Sequence, residues 1–308
     1  MLNPVQVVAE QMWFDGELRD AEAITVAPFT HALHYGSGVF EGIRAYRTAH
    51  GPAVFRLREH LERFHRSAEV YGLNIAYDVD ELSRAIFQTL DANGFHDGYI
   101  RPLAYYGAKG ISLAPKFNCP THVLVALKPL SGSLLGDGGI RTTISRWQKT
   151  PSKSLPSHVK ACGHYTNSIL ALQDATAAGF DEAILLNDRG QVAEGTGENI
   201  FVVKDGKIAT NDPSADVLPG ITRETVITLA TDAGMDVTVR DLTTQDLFDA
   251  DEVFFTGTAA EVAPIACIDD LVFTEHPVTN YLAEQYAKAV TGKNLAHRDW
   301  VTYRSDVR

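Results

Sequence analysis

The feature that most limits the fold is a break in periodicity between Lys128 and Gly139. Four glycines, two serines and a proline there interrupt both helical and strand patterns, and such a composition is typical of a connection between compact regions. A chain of 308 residues is long enough for two domains of ordinary size. We therefore predict a smaller N-terminal domain over 1–130, an interdomain loop over 131–139 and a larger C-terminal domain over 140–308.

Both halves mix strand and helix patterns. Before the break, strand-like runs at 53–57, 99–106 and 121–127 alternate with helix patterns. After the break, helix patterns lie at 165–178 and 222–233, together with further strand-like runs. Residues 199–209 read as a hairpin around Asp205-Gly206, a strong two-residue turn signal. Because hairpins join several strands, we predict an α+β fold (α/β mixed) with mixed or antiparallel sheets.

Composition narrows the classes of partner. Acidic residues exceed basic ones by 39 to 27, which gives a formal net charge of −12, and no basic cluster could follow a phosphate backbone, so we expect no nucleic-acid partner. The start lacks a signal-peptide pattern and the longest apolar runs are strand-sized, so we expect no membrane association and a cytoplasmic location. Cys119, Cys162 and Cys267 lack metal-ligand spacing, which predicts reduced thiols and no metal site.

Lys160 has the most reactive setting in the chain. It is the only permanent cation in the run of small and neutral residues 156–165, directly before a helix pattern. Desolvation lowers the pKa of an ammonium toward the range where the neutral amine is a nucleophile that can form a Schiff base. From this run alone, a surface lysine on a loop is the simpler interpretation.

Three further segments carry groups that suit one cofactor. A Pro-Gly turn precedes a helix pattern, so the N–H groups of Ile221 and Thr222 point out of a helix N-terminus that favours a phosphate. Thr258 follows a buried strand and offers a hydroxyl and N–H donors. Glu194, in a glycine-spaced loop, can keep a cationic ring nitrogen protonated. Each segment alone also fits an ordinary turn, with Thr222 as a helix cap.

Six motifs follow one another along the chain. They are His31–Arg44 (HALHYGSGVFEGIR), Tyr99–Pro102 (YIRP), Lys160, Glu194–Asn199 (EGTGEN), Leu218–Arg223 (LPGITR) and Gly257–Glu261 (GTAAE). Their order resembles the branched-chain amino acid aminotransferases of the pyridoxal-phosphate fold-type IV group, over about Trp13 to Val278. The resemblance implies a two-domain fold with the cofactor at the domain interface. It also implies transamination of leucine, isoleucine or valine with 2-oxoglutarate, giving branched 2-oxo acids and L-glutamate.

The resemblance further implies residue roles. Lys160 holds pyridoxal 5′-phosphate as a Schiff base and then moves the substrate proton as general base and acid. The implied cofactor contacts are Glu194 at the pyridinium nitrogen, Tyr165 at the phenolic oxygen, and Arg63, Ile221, Thr222 and Thr258 at the phosphate. The implied substrate contacts are Phe40, Tyr99, Arg101, Thr258 and Ala259, with Tyr35 and Leu113 from a neighbouring subunit. Among these, Arg101 meets the distal carboxylate of glutamate.

Two positions show where spacing and resemblance differ. Arg63 lies four residues after Glu59, off the apolar face of its helix pattern, and spacing alone predicts an exposed ion pair. Only the resemblance assigns Arg63 to the phosphate. Leu134 stands where some relatives have an aromatic residue, which leaves open the preference among leucine, isoleucine and valine and any activity on aromatic substrates or primary amines.

Several alternatives remain open on the sequence. D-amino acid transaminase, (R)-amine transaminase and aminodeoxychorismate lyase share the cofactor and fold, whereas Tyr99, Arg101 and Thr258-Ala259 favour the branched-chain enzyme. A non-catalytic pyridoxal-phosphate-binding regulatory protein is the alternative outside the enzymes. It is disfavoured because binding a phosphate requires neither Lys160 nor Glu194. The resemblance implies at least a homodimer, possibly a hexamer.

Overall fold

The computed structural model describes residues 9–110, 112–114, 119–130 and 139–307. The α-helices in this part of the chain are α1 (His31–Tyr35), α2 (Leu57–Tyr71), α3 (Val79–Ala92), α4 (Tyr165–Ala177), α5 (Ile221–Asp232), α6 (Thr244–Phe248) and α7 (Pro277–Val290). The strands are β1 (Gln11–Phe14), β2 (Glu17–Asp20), β3 (Gly38–Phe40), β4 (Ile43–Thr48), β5 (Gly51–Phe55), β6 (Gly98–Tyr106), β7 (Thr121–Lys128), β8 (Ile140–Gln148), β9 (Glu182–Leu186), β10 (Asn199–Lys204), β11 (Lys207–Thr210), β12 (Val237–Val239), β13 (Glu252–Gly257), β14 (Glu261–Ile268), β15 (Leu271–Val272) and β16 (Val301–Thr302).

The chain packs into two compact units. The first contains the described residues of Met1–Ser131, Val159–Gly163 and Ala289–Arg308, and the second contains those of Gly132–His158 and His164–Lys288. The domain ranges 1–130 and 140–308 stay a prediction. The two units have different bounds from these ranges, because the segment around Lys160 and the C-terminal residues pack with the first unit. Leu134 and most of the predicted interdomain loop lie outside the described residues.

An antiparallel sheet forms the base of the first unit. Among the described residues its order is β16-β5-β4-β6-β7-β1-β2, and β3 pairs with β6. Val123, Val125 and Leu127 alternate as buried positions along β7, as expected for a strand with one face on a core. Helices α2 and α3 cover that face with fully buried residues such as Phe64 and Ile86. Removing each of these side chains from water stabilises the fold by about 1.5–3 kcal/mol.

Local signals set the ends of these helices. Asp78 caps α3 in a reciprocal capping box, in which its side chain accepts from the Glu81 N–H (2.7 Å) and the Glu81 side chain accepts from the Asp78 N–H (2.8 Å). The strand predicted over 53–57 ends earlier, at Phe55, because Arg56 takes a left-handed conformation (φ 49°) and the next residue begins α2.

The second unit contains a mixed sheet. In the described residues its order is β12-β11-β10-β13-β14-β8-β9, with β15 beside β14. The β11–β12, β14–β8 and β8–β9 pairs are parallel, and the other pairs are antiparallel. Asp205 and Gly206 both have positive φ, 48° and 71°, as the predicted two-residue hairpin requires. The α+β prediction is confirmed. Within the described ranges, no helix has the length and apolar character needed to cross a membrane.

Candidate active site

The segment that carries Lys160 is bound to the sheet and helices of the first unit. The Lys160 N–H donates to Ser67 Oγ on α2 (3.1 Å), and the Lys160 carbonyl accepts from the Phe40 N–H at the end of β3 (3.0 Å). The flanking residues Val159 and Ala161 are buried. These contacts fix the backbone on both sides of Lys160, so its side chain starts from a defined position.

The Lys160 ammonium lies in desolvated surroundings that contain charged groups of both signs. Its Nζ is 5.1 Å from the centroid of the Phe40 ring, which provides a cation–π contact. Burial lowers the pKa of Lys160, and the Arg63 charge lowers it further, while the Glu41 charge opposes the shift. A lowered pKa enlarges the fraction of neutral amine, the form that attacks an aldehyde. Lys160 is half-buried and its backbone is bonded on both sides, so it is not an exposed lysine on a surface loop.

Arg63 is buried against a carboxylate from another element. Its Nε donates to Glu41 Oε1 (2.6 Å) and its Nη2 donates to Glu41 Oε2 (2.9 Å), a two-pronged arrangement that fixes the guanidinium plane. His60, one turn earlier on α2, has its Nδ1 2.8 Å from the same Oε2. The exposed ion pair with Glu59 that spacing predicts is wrong, because Glu59 pairs with Arg56.

The carboxylate at the centre of this cluster stays ionised. Glu41 is fully buried, and burial alone would raise the pKa of its carboxyl group. The charges and hydrogen bonds of Arg63 and His60 outweigh burial and hold the pKa of Glu41 well below its usual range. The cluster is thus a buried ion pair next to the amine of Lys160.

Phe40, Tyr99 and Arg101 form a stacked group on the paired strands β3 and β6. The Arg101 guanidinium lies 4.5 Å from the centroid of the Phe40 ring and 5.2 Å from that of Tyr99, and its Nη2 donates to Tyr99 Oη (3.1 Å). Gly42 makes room for this arrangement, because a Cβ there would lie 2.0 Å from Tyr99 Oη. Arg101 is exposed, so the group combines aromatic walls with one cation at its rim.

The two residues predicted to serve a neighbouring subunit are exposed. Tyr35 ends α1 and keeps 43% of its surface accessible, and Leu113 keeps 82%. Phe29 and Leu33, close to Tyr35 in sequence, are exposed at 63% and 65%. This part of the first unit therefore presents several large apolar side chains to its surroundings.

In the second unit, Glu194 is buried and both of its carboxylate oxygens have partners. Lys149 Nζ lies 2.5 Å from Oε1, and the Asn199 side chain (3.1 Å) and the Leu218 N–H (3.0 Å) donate to Oε2. Burial opposes the charge on Lys149, but the Glu194 carboxylate outweighs it and raises the pKa of Lys149. Tyr165 is close enough to act electrostatically on the same ammonium. Glu194 is therefore not a solvated turn residue.

The loop that carries Glu194 is fixed from behind by another buried carboxylate. Glu182, on β9, accepts from the Thr196 N–H (3.1 Å) and the Thr196 hydroxyl (2.9 Å). The Gly195 N–H donates to the Glu198 carbonyl, which closes the loop before β10 begins. Burial raises the pKa of Glu182. These contacts hold Glu194 on a supported loop between two strands.

The first turn of α5 has the features of an anion-binding helix end. Its N-cap is Gly220, with no side-chain capping bond, and Ile221 and Thr222 are the first helical residues. Thr222 is therefore not the helix cap, and α5 begins one residue earlier than predicted. A Cβ at Gly220 would lie 2.0 Å from Asn199 Oδ1. The turn is thus packed directly on the side chain that supports Glu194.

Thr258 and Ala259 occupy the turn between β13 and β14. Just before them, Thr256 Oγ1 is buried and has no hydrogen-bond partner within the described residues. Helix α5 packs on β13, so this hydroxyl and the uncapped helix start belong to neighbouring elements. Buried polar groups normally have partners, and an unpaired buried hydroxyl on the strand that packs with α5 suits a polar ligand.

The structure groups the predicted residues within each unit and adds others that the sequence did not assign. The first unit brings together Phe40, Arg63, Tyr99, Arg101 and Lys160, and the second holds Tyr165, Glu194, Ile221, Thr222, Thr258 and Ala259. Glu41, His60, Lys149 and Asn199 belong to these two clusters and were not assigned from the sequence. Two of them, Glu41 and Asn199, lie within the six sequence motifs, so the motifs could have identified them. Spacing gave no signal for His60 or Lys149.

Comparisons with known proteins give matches along nearly the whole chain. The family model described as amino-transferase class IV matches residues 38–268. A branched-chain-amino-acid aminotransferase of Pseudomonas aeruginosa is 41% identical over 298 residues, which cover 94% of this chain and 96% of that protein. The enzyme of the same name from Escherichia coli K12 is 38% identical over 300 residues, covering 95% and 97%.

Solved structures agree with these sequence matches. The crystal structure of the branched-chain aminotransferase from the thermophilic archaeon Thermoproteus uzoniensis, solved with norvaline, has a TM-score of 0.92 and 44% sequence identity to this chain. The match covers 96% of this chain and 99% of that one. The resemblance drawn from the six motifs is confirmed, and with it the fold-type IV prediction.

Proposed function

The chain belongs to the class IV amino-transferase family, and from this premise we propose that it transfers the amino group of L-leucine, L-isoleucine or L-valine to 2-oxoglutarate, with pyridoxal 5′-phosphate as cofactor. The products are the branched 2-oxo acids and L-glutamate. The observation that carries the proposal is the desolvated amine of Lys160, with its lowered pKa, in a chain that matches branched-chain aminotransferases over 94–96% of its length.

The residues present fit this cofactor. The α5 N-terminus has no side-chain cap, and a buried hydroxyl at Thr256 lacks a partner in the described part of the chain; both suit a phosphate group. A carboxylate with a fixed orientation, Glu194, suits a protonated ring nitrogen. When bound, pyridoxal phosphate supplies an electron sink for the negative charge that develops at the substrate Cα.

The chain's own residues supply binding and proton transfer. Lys160 Nζ would hold the cofactor covalently and, once the substrate amine has replaced it there, would act as the general base that removes the substrate Cα proton and then as the general acid that returns it. Glu194, held by Lys149 and Asn199, keeps the ring nitrogen protonated. Tyr165 donates a hydrogen bond to the phenolic oxygen.

The phosphate and the substrate α-carboxylate are bound by two sets of donors that share one residue, Thr258. The phosphate accepts from Arg63, the N–H groups of Ile221 and Thr222, and Thr258. The N–H groups of Thr258 and Ala259 bind the α-carboxylate. These assignments rest on the motif positions and on the uncapped start of α5. They predict that the phosphate remains bound when the substrate changes.

Two kinds of substrate side chain fit the group around Phe40. The Phe40 and Tyr99 rings provide apolar walls for a leucine-like side chain, which is bound by its removal from water. Arg101, at the exposed rim and stacked on both rings, pairs with the distal carboxylate of glutamate. One site therefore accepts both the branched-chain donor and the glutamate product.

We also propose that the chain forms at least a homodimer and acts in the cytoplasm. Phe29, Leu33, Tyr35 and Leu113 are large apolar residues with 43–82% of their surface exposed, and exposed apolar groups of this kind mark association surfaces. Tyr35 and Leu113 then contribute to the substrate site of the partner. Sedimentation of the purified chain distinguishes a monomer, which would overturn the proposal, from a dimer or a hexamer.

A donor panel tests the proposed reaction. Steady-state rates with 2-oxoglutarate and L-leucine, D-alanine or (R)-1-phenylethylamine should favour L-leucine. A preference for D-alanine would identify a D-amino acid transaminase, and one for the amine an (R)-amine transaminase. Borohydride reduction followed by peptide mass spectrometry should place a cofactor adduct on Lys160, with Lys160→Ala as the control. An adduct without turnover of any donor would favour a regulatory protein.

A further inference from the structure

Glu41 is a buried charge that the proposed reaction does not use. Its side chain is fully buried next to Arg63 and His60, which are also buried. A buried carboxylate is retained at the expense of its hydration, and it is stable only when charged or hydrogen-bonding partners surround it. Apolar residues fill most of this core, so packing alone does not explain why a carboxylate is buried there.

The backbone of Glu41 is fixed by the elements that also carry the site. Its N–H donates to the Pro102 carbonyl on β6 (2.9 Å). Its neighbour Phe40 binds the carbonyl of Lys160, and its other neighbour, Gly42, packs under Tyr99. The carboxylate therefore has a defined position relative to the amine and to the aromatic group.

Glu41 in turn sets the orientation of Arg63. A guanidinium has five N–H donors in one plane, and the carboxylate engages those on Nε and Nη2 with short bonds of 2.6 and 2.9 Å. That contact fixes both the plane and the rotation of the group, and it turns the donors on Nη1 away from Glu41. His60 holds the second carboxylate oxygen from the preceding turn of α2.

We propose that Glu41 is a positioning residue that aims the Arg63 guanidinium at the cofactor phosphate. This inference rests on the proposed function, because the phosphate belongs to pyridoxal phosphate. Glu41 also balances the charge beside Lys160, since it offsets the effect of Arg63 on that amine. The role is specific to the phosphate: a ligand with the same ring and aldehyde but no phosphate gains nothing from an oriented Arg63.

Binding of two ligands to the full-length chain freed of cofactor tests this role. Pyridoxal 5′-phosphate and pyridoxal are titrated by absorbance into wild type, Glu41→Gln and Glu59→Gln. Glu59→Gln is the matched control, because it neutralises another carboxylate of the first unit, the partner of Arg56. For Glu41→Gln we expect affinity for pyridoxal phosphate to fall by about tenfold or more and affinity for pyridoxal to change by less than about threefold. Glu59→Gln should leave both affinities near wild type.

A second variant keeps the test decisive if Glu41→Gln folds poorly. The double variant Glu41→Gln/Arg63→Gln replaces both partners with neutral groups of similar shape, which is milder than leaving one charge buried alone. Because Glu41 acts through Arg63, the double variant should bind pyridoxal phosphate as Arg63→Gln does. A further loss of affinity in the double variant overturns the inference.

The outcomes separate this inference from the proposed function. Equal losses for pyridoxal and pyridoxal phosphate, or no loss for either, overturn the role of Glu41 while a borohydride adduct on Lys160 of the wild type leaves the proposed function intact. Absence of that adduct in the wild type overturns both. Loss confined to the phosphorylated ligand supports both.

Discussion

Gly220→Ala tests whether the turn before α5 and the Glu194 loop pack as one body. Gly220 has φ −72° and ψ 136°, values that alanine adopts readily, so backbone strain does not contribute. The added Cβ would lie 2.0 Å from Asn199 Oδ1, and real contacts of this kind are essentially never below 3.0 Å. The Asn199 amide must therefore leave its position.

The cost follows from the hydrogen bonds that Asn199 makes. Its side-chain N–H groups donate to the Leu218 carbonyl (2.8 Å) and to Glu194 Oε2 (3.1 Å). A neutral hydrogen bond contributes about 0.5–1.5 kcal/mol and one to a charged group about 1.5–3 kcal/mol. We therefore expect the free energy of unfolding to fall by roughly 2–4 kcal/mol.

Denaturant unfolding of the cofactor-free chain measures this change, and the same loop offers a matched control. Gly197 has open space around its Cα and no left-handed φ, so Gly197→Ala should change the free energy of unfolding by less than about 0.5 kcal/mol. In an Asn199→Ala background the obstacle is gone, and Gly220→Ala should then cost much less than in the wild type.

Two results would refute this reasoning. One is a Gly220→Ala variant as stable as Gly197→Ala. The other is an equal cost of Gly220→Ala with and without the Asn199 side chain, since the structure assigns the cost to that contact. Either result would mean that the turn and the loop adjust independently.

Three further changes have defined outcomes. Lys160→Ala should abolish the borohydride adduct and lower transamination at least about a thousandfold, with cofactor retained by its phosphate; substantial turnover would contradict the proton-transfer role. Gly42→Ala places a Cβ 2.0 Å from Tyr99 Oη, so KM for L-leucine should rise by about tenfold, and an unchanged KM would remove Tyr99 from the substrate wall. Burial opposes ionisation of Asp246, but hydrogen bonds from Arg240 and the N-cap residue of α6 lower its pKa to about 2. Because the pKa of Asp246 is lower in the folded than in the unfolded chain, its ionised carboxylate stabilises the fold. This contribution, roughly 1–2 kcal/mol, is complete above about pH 4 and is lost as the pH falls toward 2. Asp246→Asn should flatten acid unfolding in that window, and an unchanged slope would contradict the ion pair.

Elements with strong local signals could be predicted from the sequence. Helix α4 begins at Tyr165 as predicted, α5 begins one residue before its predicted start, and the Asp205-Gly206 turn lies at the predicted hairpin. Each has its own glycine stop or turn signal. Short elements such as α6 and β12 lack sustained periodicity. Their formation depends on pairing or packing with distant segments, which one sequence does not reveal.

The site shows the same limit at the level of side chains. Helical spacing suggested Glu59 as the partner of Arg63, whereas the real partner, Glu41, is 22 residues away and follows a strand. Lys149 and Glu194 are 45 residues apart. Motif order predicted which residues carry chemistry, and those assignments stay predictions. The residues that orient them were missed, because only the folded chain brings them together.

The placement of Val159–Gly163 has a consequence for chimeric enzymes. This short stretch packs with the first unit although the sequence on both sides of it packs with the second, and its backbone bonds to Ser67 and Phe40. Consider a hybrid that joins residues before about 131 from one parent to the residues after it from another. In such a hybrid, Lys160 and its backbone partners Ser67 and Phe40 would come from different parents. If Val159–Gly163 is transferred together with the N-terminal part, Lys160 and its backbone partners come from the same parent.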